Sequence, residues 1–106
     1  MIYRAVFHPR IEADLREVIA HYEDCSPGLG ARLKRTFYTT IDETLLFPAK
    51  NAVKVDEEIR TRLMRPFPYL IFYAVAGEIV FVLALQYAGR KPAYLRDIVT
   101  ERRATE

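Results

Sequence analysis

The sequence predicts an α+β fold: an N-terminal strand, then an antiparallel helical hairpin packed on a mostly antiparallel four-stranded sheet, in the order β-α-α-β-β-β, ending in a short basic tail or helix. Three observations carry this. Apolar residues recur at helical spacing from Ile11 to Leu45, the period changes to two from Ile59, and two strongly apolar runs of strand length follow at Tyr69–Val75 and Ile79–Leu85.

Ile2 to Phe7 is short and rich in β-favouring residues, and it ends at His8-Pro9. Pro9 suits the first turn of a helix, where its missing N–H costs nothing. Ile11, Leu15, Val18, Ile19 and Tyr22 then form one helical face, with Glu12, Asp14, Arg16, Glu17 and Glu23 elsewhere. Ser26-Pro27-Gly28 breaks this helix, and the next is expected to open there, with Ser26 as N-cap and Pro27 at the first helical position. Leu29, Leu33, Phe37, Ile41 and Leu45 continue until Phe47-Pro48, and the short connection makes the two helices antiparallel neighbours. After a polar stretch, 50–58, Ile59, Thr61 and Leu63 point one way while Arg60, Arg62 and Met64 point the other. Arg65-Pro66-Phe67-Pro68 is a turn, and a tight turn around Ala76-Gly77-Glu78 joins the two apolar strands. In the tail, 89–106, Pro92 can open a short final helix.

The 106 residues fit a single domain spanning 1–106. At this length roughly two-thirds of the unfolded surface is buried on folding, enough to dispense with disulfides or metal. Cys25 is the sole cysteine, which points to a reducing, cytoplasmic setting. Glu78 interrupts the longest apolar tract, so two strands are expected there and no membrane span. Residues 1–58 carry eight Lys/Arg and ten Asp/Glu, a balance of −2, whereas residues 59–106 carry eight against four, a balance of +4. The second half therefore suits an acidic or polyanionic partner.

Neither His8 nor His21 has the neighbours of a metal site, so no metal and no cofactor are expected. His8 reads as a cap or an exposed residue, and His21 as a side-chain pair with Glu17. Gly28-x-Gly30 lacks the third glycine and the preceding strand of a phosphate loop. Tyr69, Phe72 and Tyr73 read as core rather than as a base-stacking platform.

Four local signatures, in this order and spacing, resemble the RelE/ParE superfamily of type II toxins, also described as plasmid stabilisation proteins. They are Pro9 with Ala13-Asp14-Leu15 before His21-Tyr22-Glu23; Phe47-Pro48; Glu58-Ile59-Arg60 leading into Phe67-Pro68-Tyr69-Leu70-Ile71-Phe72-Tyr73; and the strand 79–85 followed by Gln86-Tyr87-Ala88-Gly89-Arg90-Lys91-Pro92. The resemblance implies a growth-inhibiting toxin neutralised by a cognate antitoxin, sometimes in pairs of heterodimers. Its target is either DNA gyrase, as for ParE-like members, or messenger RNA on the ribosome, as for RelE-like endoribonucleases. A plain interaction domain without toxicity is the third alternative.

Metal-free RNA cleavage needs a deprotonated 2′-hydroxyl, a neutralised phosphate and a protonated leaving oxygen. By resemblance, the candidate catalytic set is Arg60, Arg62, Arg90 and Tyr94. Arg60, Arg62, Arg65, Arg90 and Lys91 are the candidates for binding phosphate or a target, with Arg60, Arg62 and Arg90 expected at a common border. Two departures favour the ParE-like side. Leu70 stands where RelE-like enzymes carry a basic residue, and arginine replaces lysine at 60 and 62; an arginine stays protonated and is a poor general base.

Overall fold

Tyr69 to Tyr87 forms the hairpin on which the rest of the chain is built. In the computed structural model, which describes residues 2–50 and 52–105, the elements are β1 (Arg4–Phe7), α1 (Ile11–Cys25), α2 (Leu29–Leu46), β2 (Val53–Lys54), β3 (Ile59–Leu63), β4 (Tyr69–Ala76), β5 (Ile79–Tyr87) and α3 (Pro92–Thr105). The expectations touching positions 1, 51 and 106 lie outside the described residues. The sheet order is β1-β5-β4-β3-β2. Among the described residues, only β1 and β5 pair in parallel; the other pairings are antiparallel. The sheet thus gains a fifth strand, β2, from the polar stretch before β3.

The two faces of β4 explain why its sequence is apolar at almost every position. Ile71 and Tyr73 meet a core made with Leu15, Leu33 and Phe37 of the helical hairpin. Phe72 and Ala74 meet a second core made with Leu95 and Val99 of α3. A central strand covered on both faces has no place for the polar half of an alternating pattern. The tail is therefore more than a basic extension: it forms a 14-residue helix on the face opposite the hairpin. Among the described residues, no helix is long and apolar enough to cross a membrane.

The link between α1 and α2 departs from its expected form. Ser26 is extended and closes α1, its N–H donating to the Tyr22 carbonyl. Gly28, left-handed at φ 87°, precedes the first residue of α2. The cap comes from the previous helix. Glu23 accepts hydrogen bonds from the N–H groups of Gly28 and Gly30 at 3.0 Å, satisfying backbone donors at the opening of α2. Pro9 likewise stands just before α1, not in its first turn.

Candidate functional site

Register along the sheet decides which candidate cations meet. Arg60 faces Tyr73, which faces Val82, while Leu63 faces Leu70, which faces Gln86. From Val82 to Tyr87 is five residues of strand, about 17 Å, and Arg90 lies beyond Tyr87. Arg65, Arg90 and Lys91 therefore leave the sheet at one end, all three exposed, whereas Arg60 lies toward the other. The expected common border of Arg60, Arg62 and Arg90 is not formed.

The side chains diverge further. Arg60 opens into a cleft with Tyr3, Phe47, Pro48 and Val75. Arg90 borders a hollow with Glu17, His21, Tyr69 and Tyr87. Its guanidinium stacks on Tyr94 at 4.8 Å from the ring centroid, so that half-exposed ring is occupied by a cation–π contact instead of packing on the sheet.

Arg62 turns inward. Its Nη2 donates to the carbonyl oxygens of Phe47, at 3.0 Å, and Lys50, at 2.5 Å. Next to it, buried Tyr73 donates its hydroxyl to the Pro48 carbonyl. Arg62 and Tyr73 together hold the turn that follows α2. Burial pushes the Tyr73 phenol above its ordinary range, and the positive charges of Arg62 and Arg60 work the other way.

An open groove of about 1410 Å³ runs between α2 and the β2–β3 edge. Among the described residues, Arg32 and Arg35 border it from α2, Arg62 and Arg65 from the other wall, and Glu43 is its one carboxylate. Arg32 and Arg35 were missed in the sequence because they lie in the half whose balance is negative. Their i, i+3 spacing on the exposed side of α2 was the available signal.

The buried Asp14–Arg102 pair was also missed. Arg102 donates to Asp14 Oδ1 at 2.8 Å and to the Leu83 carbonyl at 3.1 Å, while Asp14 Oδ2 accepts from the Leu85 N–H at 3.1 Å. His8 is buried, not exposed, and its Nδ1 accepts the Arg10 N–H at 3.1 Å at the start of α1. His21 lies against the Tyr22 ring, edge to face at 5.1 Å. Cys25 is exposed at the end of α1.

Comparison with known proteins gives a family match. The model of the family described as the ParE toxin of the type II toxin-antitoxin system, parDE, matches residues 5–92. A solved structure titled as a chromosomal ParDE TA system from P. aeruginosa is similar in fold, with a TM-score of 0.71 at 15% identity; the match covers 81% of this chain and 96% of that one. No curated protein sequence matches.

Proposed function

Because the chain belongs to the ParE toxin family of type II toxin–antitoxin systems, we propose that it poisons DNA gyrase by binding it, acts in the cytoplasm, and is held inactive by a cognate antitoxin. Arg65, Arg90 and Lys91, the exposed cations at one end of the sheet, are the proposed target contacts. The observation that carries the choice of gyrase over RNA cleavage is the position of Arg62. Its guanidinium is committed to two backbone carbonyls, and Arg60 and Arg90 stand far apart along the strands. Cleaving a phosphodiester needs clamp, base and acid each within hydrogen-bond reach of one scissile phosphate. These side chains are not arranged for that.

The test is supercoiling by purified gyrase titrated with the purified chain, run beside induction of the chain in growing cells. Inhibited supercoiling, chromosome breakage and intact messages are expected. Full gyrase activity at excess chain, with messages cut at codon positions in the same cells, would replace this reading with ribosome-dependent endoribonuclease activity. If the chain neither arrests growth nor inhibits gyrase, it is an interaction domain only.

A further inference from the structure

The small hollow beside Arg90 gathers polar groups that the fold leaves unused. It measures about 230 Å³ and lies between α1 and the open end of the β4–β5 hairpin, with Glu17, His21, Tyr69, Gln86 and Tyr87 around it. Among the described residues, no hydrogen bond or ion pair engages the side chains of Glu17, Gln86 or Arg90. The other carboxylate lining the hollow, Asp14, is already paired with Arg102. Tyr87 is held beside the opening. Its ring stands 5.8 Å from that of Tyr69 and folds back over Gly89, where an added Cβ would collide with three of its atoms. The ring is still 46% exposed. Burial, reinforced by the phenols of Tyr22 and Tyr87, pushes the Tyr69 phenol above its ordinary range, so at neutral pH it stays a hydrogen-bond donor.

We propose that this end of the sheet binds single-stranded DNA, with one unstacked base in the hollow and its flanking phosphates on Arg90 and Lys91. The inference deepens the gyrase reading above and rests on it for its role in the cell: the strand is DNA that gyrase has opened. Three features fit a nucleotide. The hollow is smaller than the roughly 300–1,000 Å³ of sites for drug-sized ligands and suits a single planar ring system. An exposed aromatic face beside hydrogen-bonding groups matches a base, whose face stacks while its edge hydrogen-bonds. The Arg90 guanidinium lies on the Tyr94 ring by its face, which leaves its N–H edge for a phosphate, and Lys91 is exposed next to it. Glu17 selects among bases. A carboxylate only accepts hydrogen bonds, and guanine presents two adjacent N–H donors on its pairing edge, whereas thymine presents one N–H flanked by carbonyl oxygens that a carboxylate repels. A base inside a duplex keeps that edge paired and cannot enter.

The experiment uses the full chain without gyrase and follows the fluorescence anisotropy of two labelled deoxyhexamers, TTTGTT and TTTTTT, at low salt. The guanine-containing strand is expected to bind about 10-fold more tightly than the all-thymine strand. Tyr87→Ala should weaken the guanine-containing strand about 10-fold through lost stacking, and Arg90→Ala should flatten the dependence on salt. Glu17→Gln, at an exposed position without a hydrogen bond to lose, should abolish the preference for guanine and leave thymine binding no weaker. Should Tyr87→Ala fold poorly by circular dichroism, Glu17→Gln carries the test alone. No binding of either strand overturns the proposal and leaves the gyrase reading to the supercoiling assay. Equal binding of both strands, unmoved by Glu17→Gln and Tyr87→Ala, shows attraction by surface charge only and overturns it too. So does a duplex of the same sequence that binds as tightly. A ribohexamer, UUUGUU, binding about 10-fold more tightly than its DNA counterpart assigns the hollow to RNA and overturns the DNA assignment. The expected binding beside uninhibited gyrase upholds the site and overturns only the gyrase reading.

Discussion

Asp14 and Arg102, 88 residues apart in the chain, form a two-pronged ion pair at the edge of β5, with side chains only 10% and 9% exposed. Strand β1 stops at Phe7, opposite Val82, so the later part of β5 has no strand beside it on that side. Leu83, in the register shift between Phe72–Ala84 and Tyr73–Val82, offers its carbonyl to Arg102, and Leu85 offers its N–H to Asp14. The pair stands in for the missing strand and joins α1 to α3.

Removing either partner leaves a buried charge and an unpaired strand group. Asp14→Ala and Arg102→Ala are each expected to cost about 3–5 kcal/mol of folding stability in urea denaturation. The double variant should lose much less than the sum. An apolar pair such as Asp14→Leu/Arg102→Met will not restore full stability, because the Leu83 carbonyl and Leu85 N–H remain without partners. Single variants as stable as the wild type would show that α3 is not held through this contact.

The α1–α2 connection allows a sharper test of packing. A Cβ added at Gly30 would lie 2.8 Å from the backbone oxygen of Ile19 and 3.0 Å from the Glu23 carboxylate. Gly30→Ala must therefore push the two helices apart, with an expected cost of about 1–3 kcal/mol. Glu23→Ala leaves the helices in place and removes the cap, at about 1 kcal/mol. Equal unfolding midpoints for Gly30→Ala and the wild type would mean that the close approach is not enforced.

His8 contributes to the acid side of stability. Burial, then the charge of Arg102, lowers its pKa; Asp14 opposes this and Arg10 adds slightly to it. A folded-state pKa below the ordinary value of about 6.5 means that the unfolded chain takes up the proton first. The contribution is therefore present above about pH 6.5 and is lost as pH falls through the depressed value. His8→Asn supplies an acceptor for the Arg10 N–H without a titrating ring. Its stability should fall less steeply than that of the wild type between pH 7 and pH 5. Parallel curves would remove His8 from the account.

Local signals made most of the fold legible, and pairings made only in three dimensions hid the remainder. The faces of α1 and α2 follow from Ile11, Leu15, Val18, Leu33, Phe37 and Ile41, all of which are buried. Ser26-Pro27 carried the usual signs of a helix start, but Glu23 outcompetes that cap from the preceding helix, which a window beginning at Ser26 cannot register. Helix α3 reads as a tail because its apolar residues are few; its anchor is Arg102, whose partner lies at the other end of the chain. Of the candidate cations, Arg65, Arg90 and Lys91 are exposed and Arg60 and Arg62 half-buried. Alternation put Arg60 and Arg62 on one face but could not show that Arg62 is taken up by the turn after α2.

That difference between Arg60 and Arg62 provides the most direct check on the choice between binding and catalysis. Arg62→Ala removes a charged donor from the Phe47 and Lys50 carbonyls and should cost about 1–2 kcal/mol, discounted because those residues are exposed. Arg60→Ala breaks none of the side-chain hydrogen bonds or ion pairs described above and should stay within about 0.5 kcal/mol. Arg62→Lys keeps the charge and a single nitrogen that can serve both carbonyls, as Nη2 does, so it should retain more stability than Arg62→Ala. If Arg62 is a structural clamp, each variant inhibits gyrase as the wild type does per folded molecule. A fully stable Arg62→Ala chain that no longer arrests growth would return Arg62 to the reacting groups and with it the RNA-cleaving alternative.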